Sequence, residues 1–299
     1  MNSFMKESIT FLKQATSIIP IKKGFSSDEK FVINETYLLR VFPSMDLDKR
    51  REEFETIDQL STYSSYIPKA IEFNVLEEID RAYMVLSYIS GEDGEEALAQ
   101  LTQDEQYEAG FKAGRELRNL HQLGAPAHYP SWYEIKKKKS DRYLQELQAV
   151  DVDEKVKEML ASYINNHEFL MQGRPNMFQH DDFHPSNLLI CDKQFTGIID
   201  FQRMDWGDPI HDLQKLGFFS KQVSVPFTRG NIDGYHQHEE IDETFWKLYG
   251  LYSAMHVVSA LVWGLKMSQK QYDLLLSRSM EVIRDHHQFK ADIPSWYEE

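Results

Sequence analysis

Short apolar segments in the first third of the chain predict β-strands. Five such segments are rich in Ile, Val, Leu and Tyr and are separated by polar turns. Between the third and the fourth, Phe54, Ile57 and Leu60 recur at helical spacing, which predicts one helix within Asp46 to Tyr63. The pattern therefore predicts a five-stranded sheet with one inserted helix. The five segments are Ile18 to Lys22, Lys30 to Ile33, Tyr37 to Phe42, Ala70 to Leu76 and Ala82 to Tyr88.

The remainder of the chain has a mostly helical pattern. Thr102 and Ser131 are each followed three residues later by Glu, the capping-box signal for the start of a helix. Glu240 to Phe289 is also helical, and its aromatic stripe is typical of a helix face packed in a core. The composition changes between Ser87 and Gly94. We therefore expect two lobes, residues 1–89 and residues 90–299.

Composition and charge exclude several classes of protein. The 299 residues are 41% hydrophobic and 27% charged, which is typical of a globular protein. The net charge of −15 repels phosphate backbones, so we expect no nucleic-acid partner. Cys191 is the only cysteine, which excludes an intrachain disulfide and favours a reducing compartment. Ala254 to Leu265, the longest apolar stretch, is too short to span a bilayer, and with no secretory signal we expect a cytoplasmic protein without a membrane partner.

Seven aspartates lie between positions 180 and 212. Carboxylates at this density repel one another unless they surround a cation or cap helices and loops. Asn187 ends a polar loop just before one apolar run, and Asp200 follows the next run. A hairpin of the two runs brings both oxygen ligands near Asp182. Such ligands suit Mg²⁺, which keeps waters and substrate phosphates in its other positions.

The spacing His-x-Asp-x4-Asn followed by Asp-Phe repeats the order of catalytic loop and metal loop in kinases. Three linked motifs carry the resemblance: His180 to Asn187, Ile199-Asp200-Phe201, and Gly207 to Leu213. Together they resemble the aminoglycoside phosphotransferase and choline-kinase-like family of small-molecule kinases. The resemblance implies an α+β, bilobal, protein-kinase-like fold, with a small antiparallel sheet in the N-lobe and a mainly helical C-lobe. It also implies that Asp182 is the catalytic base, that Asn187 and Asp200 bind Mg²⁺, and that ATP or GTP is the co-substrate.

The same resemblance implies a nucleotide site in the N-terminal lobe. Lys22 to Ser27 lies between two predicted strands, where the family has its phosphate-covering loop, although it holds a single glycine. Arg40 stands where protein kinases carry lysine, and Glu53 matches its acidic partner on the next helix. The residues expected to bind the nucleotide are Gly24, Ser26 and Ser27 in the loop, the pair Arg40 and Glu53, and Ser87, Tyr88 and Ile89 in the hinge strand.

Asp181 departs from the family pattern because it replaces the glycine before the catalytic aspartate. Like charges raise each other's pKa, so we expect its side chain to turn away from the metal, towards solvent or a backbone donor. Two later aspartates are expected to be structural. Asp208 should brace the catalytic loop, and Asp212 should cap or anchor the helix that follows.

Two other classes of protein remain open at this point. His180, Asp182 and His184 alternate, as ligands of one metal in a hydrolase can do. The chain could also be a pseudokinase, although none of Asp182, Asn187 and Asp200 has been lost. Metal preference separates these classes, because Mg²⁺-dependent nucleotide binding indicates a kinase and tightly bound Zn²⁺ indicates a hydrolase.

The acceptor of the phosphate is expected to be a small molecule with a free hydroxyl. The net charge and an acidic stretch, Glu239, Glu240, Asp242 and Glu243, favour a cation such as an aminoglycoside, whose phosphorylation confers antibiotic resistance. The same carboxylates equally fit a solvated helix start. A choline-like amine would need an aromatic cage, for which the candidates are Trp206, Tyr235, Trp246 and Trp263. Sugars, amino alcohols and macrolides remain alternatives.

Overall fold

A computed structural model describes residues 3–22, 28–237 and 239–298. In its N-terminal part, five antiparallel strands form a sheet in which the fifth strand lies between the third and the fourth. The expected strands and their antiparallel pairing are confirmed. The strands are β1 (Ile18–Ile21), β2 (Glu29–Ile33), β3 (Tyr37–Pro43), β4 (Ala70–Leu76) and β5 (Arg81–Ser87).

Helices cover both faces of this sheet. Helices α1 (Ser3–Ser8) and α2 (Thr10–Lys13) pack on one face, and α3 (Leu47–Leu60), inserted between β3 and β4, packs on the other. In β5, Met84 joins the core on the α3 side while Val85 joins the core on the opposite side. Successive residues of a strand point to opposite faces, so a strand that is covered twice has a continuous apolar run.

The C-terminal part is mainly helical, as expected. It contains two small sheets, one with β6 beside β8 and β9, and one with β7 beside β10. The strands are β6 (Glu92–Asp93), β7 (Met177–Gln179), β8 (Leu188–Cys191), β9 (Gln194–Ile198) and β10 (Asp205–Gly207). The helices are α4 (Gly94–Ala97), α5 (Gln103–Leu120), α6 (Trp132–Leu147), α7 (Glu154–His167), α8 (Ile210–Lys215), α9 (Val225–His236), α10 (Glu243–Gly264), α11 (Gln269–Asp285) and α12 (Ser295–Glu298).

The two predicted helix starts match the structure, whereas the predicted helical tail differs from it. Thr102 caps α5 in a complete capping box, and Ser131 caps α6 by accepting from the amide of Glu134. The helical tail is two helices, because α10 ends at Gly264 and α11 begins at Gln269. The apolar run before Asp200 forms β9, which ends at Ile198, since Asp200 adopts a left-handed φ of 66° that no regular strand allows.

Helices α5 and α9 cross at unusually short range because glycines line the crossing. A Cβ atom at Gly114 would lie 2.0 Å from the carbonyl oxygen of Asn231, and one at Gly234 would lie 1.9 Å from that of Phe111. Only residues without a side chain allow this separation. The crossing carries the end of α5, with His121, to Asp212 on α8.

Helix α10 forms the centre of the C-terminal core. Its stripe of Phe245, Leu248, Tyr249 and Tyr252 is buried, which confirms that the aromatics are core residues. None of the helices that the structure describes is long and apolar enough to cross a membrane.

Candidate active site

The two segments that were expected to form a catalytic loop and a metal loop meet beside the hairpin of β8 and β9. The segment from His180 to Asn187 joins β7 to β8, and Asp200 follows β9. The amide of Ile199 donates to the carbonyl of Asn187 at 2.9 Å, which extends the hairpin pairing to the loop ends. The pairing that was expected to bring Asn187 close to Asp200 is therefore present.

His180 has a structural position beneath the loop. Its ring is fully buried, with Nε2 donating to the carbonyl of Ile199 at 3.0 Å and Nδ1 accepting from the amide of Asp182 at 3.3 Å, a tautomer assigned from these partners. Burial lowers the pKa of His180, which keeps the ring neutral. Since both ring nitrogens are used, His180 cannot be the metal ligand that a hydrolase would need. Within the described ranges, no three His, Cys, Asp or Glu side chains are grouped to hold a metal ion.

The carboxylate of Asp182 has two unequal oxygens. Oδ1 lies 2.9 Å from Nζ of Lys215 and 3.4 Å from Nε2 of His184. Oδ2 has a more distant neighbour, Nε of Arg203 at 3.8 Å. Burial alone would raise the pKa of Asp182, but hydrogen bonding to His184 and the charge of Lys215 outweigh it and lower that pKa. The carboxylate is thus ionised and can accept a proton.

The roles expected of Asp208 and Asp212 are reversed. The carboxylate of Asp212 accepts from the backbone amides of His180 at 2.6 Å and Asp181 at 2.7 Å, so Asp212, not Asp208, braces the catalytic loop. Asp208 instead pairs with Arg174 at 2.7 Å and caps the start of α8 through the amide of Ile210. Asp212 was expected to cap or anchor the following helix, but it lies within α8, from which its side chain reaches a loop that is distant along the chain.

Asp181 occupies a backbone position that explains the family's glycine. Its φ is 54°, in the left-handed region where glycine has no steric cost and Asp is tolerated better than most residues. The side chain is 28% exposed, so it is partly turned towards solvent, and its Oδ1 lies 3.8 Å from Nδ1 of the buried His211. Burial raises the pKa of Asp181, while the nearby ammonium of Lys215 acts in the opposite direction.

Asn187 and Asp200 form a donor set that fits a magnesium ion. Nδ2 of Asn187 donates to the carbonyl of Asp182 at 2.9 Å, so the amide oxygen remains available as a ligand. The Asp200 side chain is 36% exposed, and Nζ of Lys30 lies 3.9 Å from its Oδ2. One amide oxygen and one accessible carboxylate are hard ligands of the kind that Mg²⁺ binds through one or two protein groups.

Arg40 belongs to a buried network of four charges. Four of its five N–H groups donate within the protein, to Asp28, Glu53 and Gln202. Arg50 completes the network by pairing with Asp28 at 2.7 Å and with Glu53 at 3.0 Å. Burial would lower the pKa of Arg40, but the two carboxylates outweigh it and raise that pKa. The expected pair of Arg40 and Glu53 is present, and Asp28 is a partner that the sequence did not indicate.

Of the remaining residues expected to bind the nucleotide, Ser87, Tyr88 and Ile89 lie at the end of β5 and just after it. The amide of Ser87 donates to the carbonyl oxygen of Lys69 at 2.9 Å, and the amide of Tyr88 donates to that of Thr36 at 2.7 Å. Both amides are therefore already hydrogen-bonded within the protein. Ile89 comes next, where the chain leaves β5. Gly24, Ser26 and Ser27 lie outside the described residues.

Two lysines near the site were not anticipated from the sequence. Lys215 contacts Asp182, and Lys30 lies beside Asp200. A signal for each was present. Lys215 follows Asp212 by three residues, which is one helical turn, and Lys30 pairs directly with Arg40 in the sheet, so the two side chains share a face.

Three of the four residues of the acidic stretch make contacts within the protein. Glu239 pairs with Arg118 at 3.1 Å, Asp242 caps α10 at 2.6 Å, and Glu243 pairs with Lys247 at 2.5 Å. These contacts agree with a helix start rather than with an open cation site. The four aromatics considered for a choline cage make no ring contact with one another within the described part of the chain.

Comparisons with known proteins identify the fold and the family. The family model described as Phosphotransferase enzyme family matches residues 17–249. The ADP-bound aminoglycoside phosphotransferase APH(2'')-Ib is 17% identical, with a TM-score of 0.67 over 94% of this chain and 99% of its own. The GDP complex of aminoglycoside 2'-phosphotransferase-IIIa is 17% identical, with a TM-score of 0.70 over 96% and 100%. A mutant of APH(4)-Ia bound to ADP and hygromycin B is 16% identical, with a TM-score of 0.63 over 94% and 97%.

At these identities the solved structures show the fold, and the family model shows the family. No curated protein sequence matches the chain. The bilobal kinase-like fold is confirmed, as is the phosphotransferase class of enzyme. The chain belongs to the phosphotransferase enzyme family, as its three linked motifs predicted.

Proposed function

We propose that the protein transfers the γ-phosphate of MgATP or MgGTP to a hydroxyl group of a small molecule, with Asp182 as the base. One observation carries the proposal: an ionised Asp182 carboxylate stands beside a loop pair that offers the oxygens of Asn187 and Asp200. Bound Mg²⁺ would supply charge neutralisation at the β- and γ-phosphates.

The residues of the chain act mainly by positioning, because phosphoryl transfer passes through a loose transition state that needs little covalent help. Asp182 orients the acceptor hydroxyl and takes its proton as the new O–P bond forms. Asp212 and His180 fix the conformation of the loop through hydrogen bonds to its backbone and to Ile199.

The nucleotide phosphates are proposed to meet two cations. Among the described residues, Arg40 has one N–H group without a partner, which can meet the α- and β-phosphates as the family resemblance implies. Lys30 is less constrained than Arg40, because its described ion pair is a long one, with Nζ 3.9 Å from Oδ2 of Asp200, the proposed metal ligand. Gly24, Ser26 and Ser27 would cover the phosphates. The adenine or guanine would hydrogen-bond to the backbone from Ile89 onward, since the amides of Ser87 and Tyr88 already donate to backbone carbonyls.

An aminoglycoside is the first acceptor to test. Its support comes from the aminoglycoside phosphotransferases of similar fold and from the net charge of −15, since the acidic stretch is engaged in caps and ion pairs. Amino alcohols, sugars and macrolides belong in the same screen. Antibiotic resistance would follow only if an antibiotic is the acceptor. A cytoplasmic location and a lobe boundary after Ile89 stay predictions.

The test is a nucleotide-consumption assay with MgATP and MgGTP over these acceptors, made with the parent, Asn187→Ala and Asp200→Ala. We expect acceptor-dependent turnover in the parent and loss of Mg²⁺-dependent nucleotide binding in both variants. Turnover confined to a neutral acceptor would reject the aminoglycoside and keep the kinase. Variants that bind and turn over MgATP like the parent would reject the metal assignment.

A further inference from the structure

We infer that Lys215 is a positioning residue that holds Oδ1 of Asp182 and thereby leaves Oδ2 as the atom that receives the proton of the acceptor hydroxyl. The inference rests on the proposed function, because it assigns a task to one oxygen of the proposed base. It adds a residue outside the three sequence motifs of the loop and metal sites.

The contacts of Lys215 tie it to both the side chain and the backbone of the loop. From the end of α8, Nζ donates to Oδ1 of Asp182 at 2.9 Å and to the carbonyl oxygen of Asp181. The Lys215 side chain is 10% exposed, so water competes little for its hydrogen bonds. Charge-assisted hydrogen bonds of this kind are stronger and more directional than neutral ones.

Two side chains of helix α8 bind the loop at different groups. Asp212 accepts from the amides of His180 and Asp181, and Lys215, one helical turn later, donates to Asp181 and Asp182. Asp212 therefore fixes the backbone of the loop, and Lys215 fixes the carboxylate that the backbone carries. A single rigid helix sets both positions, so the base cannot rotate independently of the loop.

The two oxygens of Asp182 differ in what surrounds them. Oδ1 is shared by Lys215 at 2.9 Å and His184 at 3.4 Å, which occupies its accessible lone pairs. The neighbour of Oδ2 is Arg203 at 3.8 Å, and that side chain is 64% exposed and can move aside. The Asp182 side chain is 24% exposed, so an acceptor can reach it. When the hydroxyl oxygen attacks the γ-phosphorus and the bond to the leaving nucleotide oxygen breaks, the hydroxyl proton passes to Oδ2.

The test is a double-mutant cycle of Lys215→Met and Asp182→Asn, with hydrolysis of MgATP and MgGTP by water as the acceptor-independent readout. Met keeps the length of the side chain and removes the charge. A 1 Å misplacement of a catalytic group can cost about 10²-fold, so we expect Lys215→Met to lower kcat by about that factor with little change in nucleotide KM. In the Asp182→Asn background the same change should have almost no effect, because Lys215 acts through Asp182. Lys215→Arg should recover part of the loss.

Lys221→Met is the matched control. It breaks a similar partly buried ion pair, with Asp285 at 2.5 Å, away from the loop, and it should leave kcat unchanged. A full loss from Lys215→Met in the Asp182→Asn background, or no loss in the parent background, would overturn the inference. If Asp182→Asn alone left hydrolysis unchanged, the proposed base would be wrong, which is a different failure.

A crystal structure of Lys215→Met provides a measurement that needs no turnover. The Asp182 carboxylate should leave its position while the backbone of the loop, held by Asp212, stays in place. An unmoved carboxylate would contradict the inference even if activity fell.

Discussion

Substituting Gly114 with Ala tests the close crossing of α5 and α9. A Cβ atom at this position would lie 2.0 Å from the carbonyl oxygen of Asn231 and 2.8 Å from its carbon. Ordinary van der Waals contact begins at about 3.4 Å, so the helices must separate by about 1.4 Å. Nothing flexible can yield, because the atoms opposite Gly114 belong to the backbone of a helix. A Cβ atom at Gly110 would likewise lie 2.1 Å from the carbonyl oxygen of Phe227, so the crossing cannot pivot around the substituted position.

We expect Gly114→Ala to destabilise the protein, although alanine is the better helix former. In an open helix, Gly→Ala stabilises by about 0.5–1 kcal/mol. Overpacking a tight core costs about 1–3 kcal/mol and occasionally more, and an overlap with a rigid backbone belongs at the upper end. We therefore expect Gly114→Ala to lower the free energy of unfolding of the C-terminal part by about 2–3 kcal/mol. At about 2–4 °C per kcal/mol for a part of this size, the Tm should fall by roughly 4–12 °C.

The measurement is thermal and urea unfolding of the purified full chain, followed by circular dichroism. Gly124→Ala is the matched control, because a Cβ atom there has nothing within 4 Å and the residue has no positive φ. That variant should be neutral or slightly stabilised. If Gly114→Ala were as stable as the control, or more stable, the two helices could not be as close as the structure has them.

The separation should also reach the catalytic loop. His121, just after α5, has its ring nitrogens 2.9 Å from the Tyr235 hydroxyl and 3.0 Å from Oδ2 of Asp212. Tyr235 lies on α9, so moving the two helices apart pulls on the residue that supports Asp212. Below its Tm, Gly114→Ala should therefore lose turnover as well as stability.

Further predictions concern single residues of the site. Asp182→Asn should lower kcat by about 10²–10⁴-fold at unchanged nucleotide affinity, measured by steady-state kinetics and titration, and unchanged turnover would assign the base elsewhere. Asp181→Gly relieves a positive φ and should change kcat by less than about tenfold, whereas a loss equal to that of Asp182→Asn would move the catalytic carboxylate to Asp181. Lys30→Met should weaken MgADP binding by about tenfold or more in calorimetry, since a charge-assisted hydrogen bond contributes about 1.5–3 kcal/mol, and an unchanged Kd would leave the phosphates to Arg40. Glu53→Gln should lower the free energy of unfolding by about 3–5 kcal/mol in urea, because it removes a counter-charge from buried guanidinium groups, whereas exposed Glu55→Gln on the same helix should be neutral.

Local pattern was sufficient for the elements of the fold. The five strands lie within a few residues of the predicted segments, because apolar runs bounded by turn residues are a local property. The inserted helix α3 was predicted from the spacing of Phe54, Ile57 and Leu60, and two of these are buried against the sheet. The order of the three motifs was sufficient to indicate the enzyme family, since each motif is a short contiguous segment.

Contacts between distant parts of the chain could not be predicted in this way. Asp28 binds Arg40 and Arg50, 12 and 22 residues away, and no spacing rule joins a residue between two strands to a helix. Gly114 and Asn231 meet only because α5 and α9 cross, so the reason for the glycine is visible in neither helix alone.

The sequence by itself indicated the residues that we propose supply the chemistry of this protein, one base and two metal ligands, together with the strands and helices that carry them. Only the tertiary structure decided how the base is held. Asp212 and Lys215 are one helical turn apart in α8, but their contacts are with a loop more than 30 residues earlier that packs against this helix. The periodicity of a sequence indicates which face of its own helix or strand a side chain occupies. The atoms that lie opposite that face are decided only when the elements pack together.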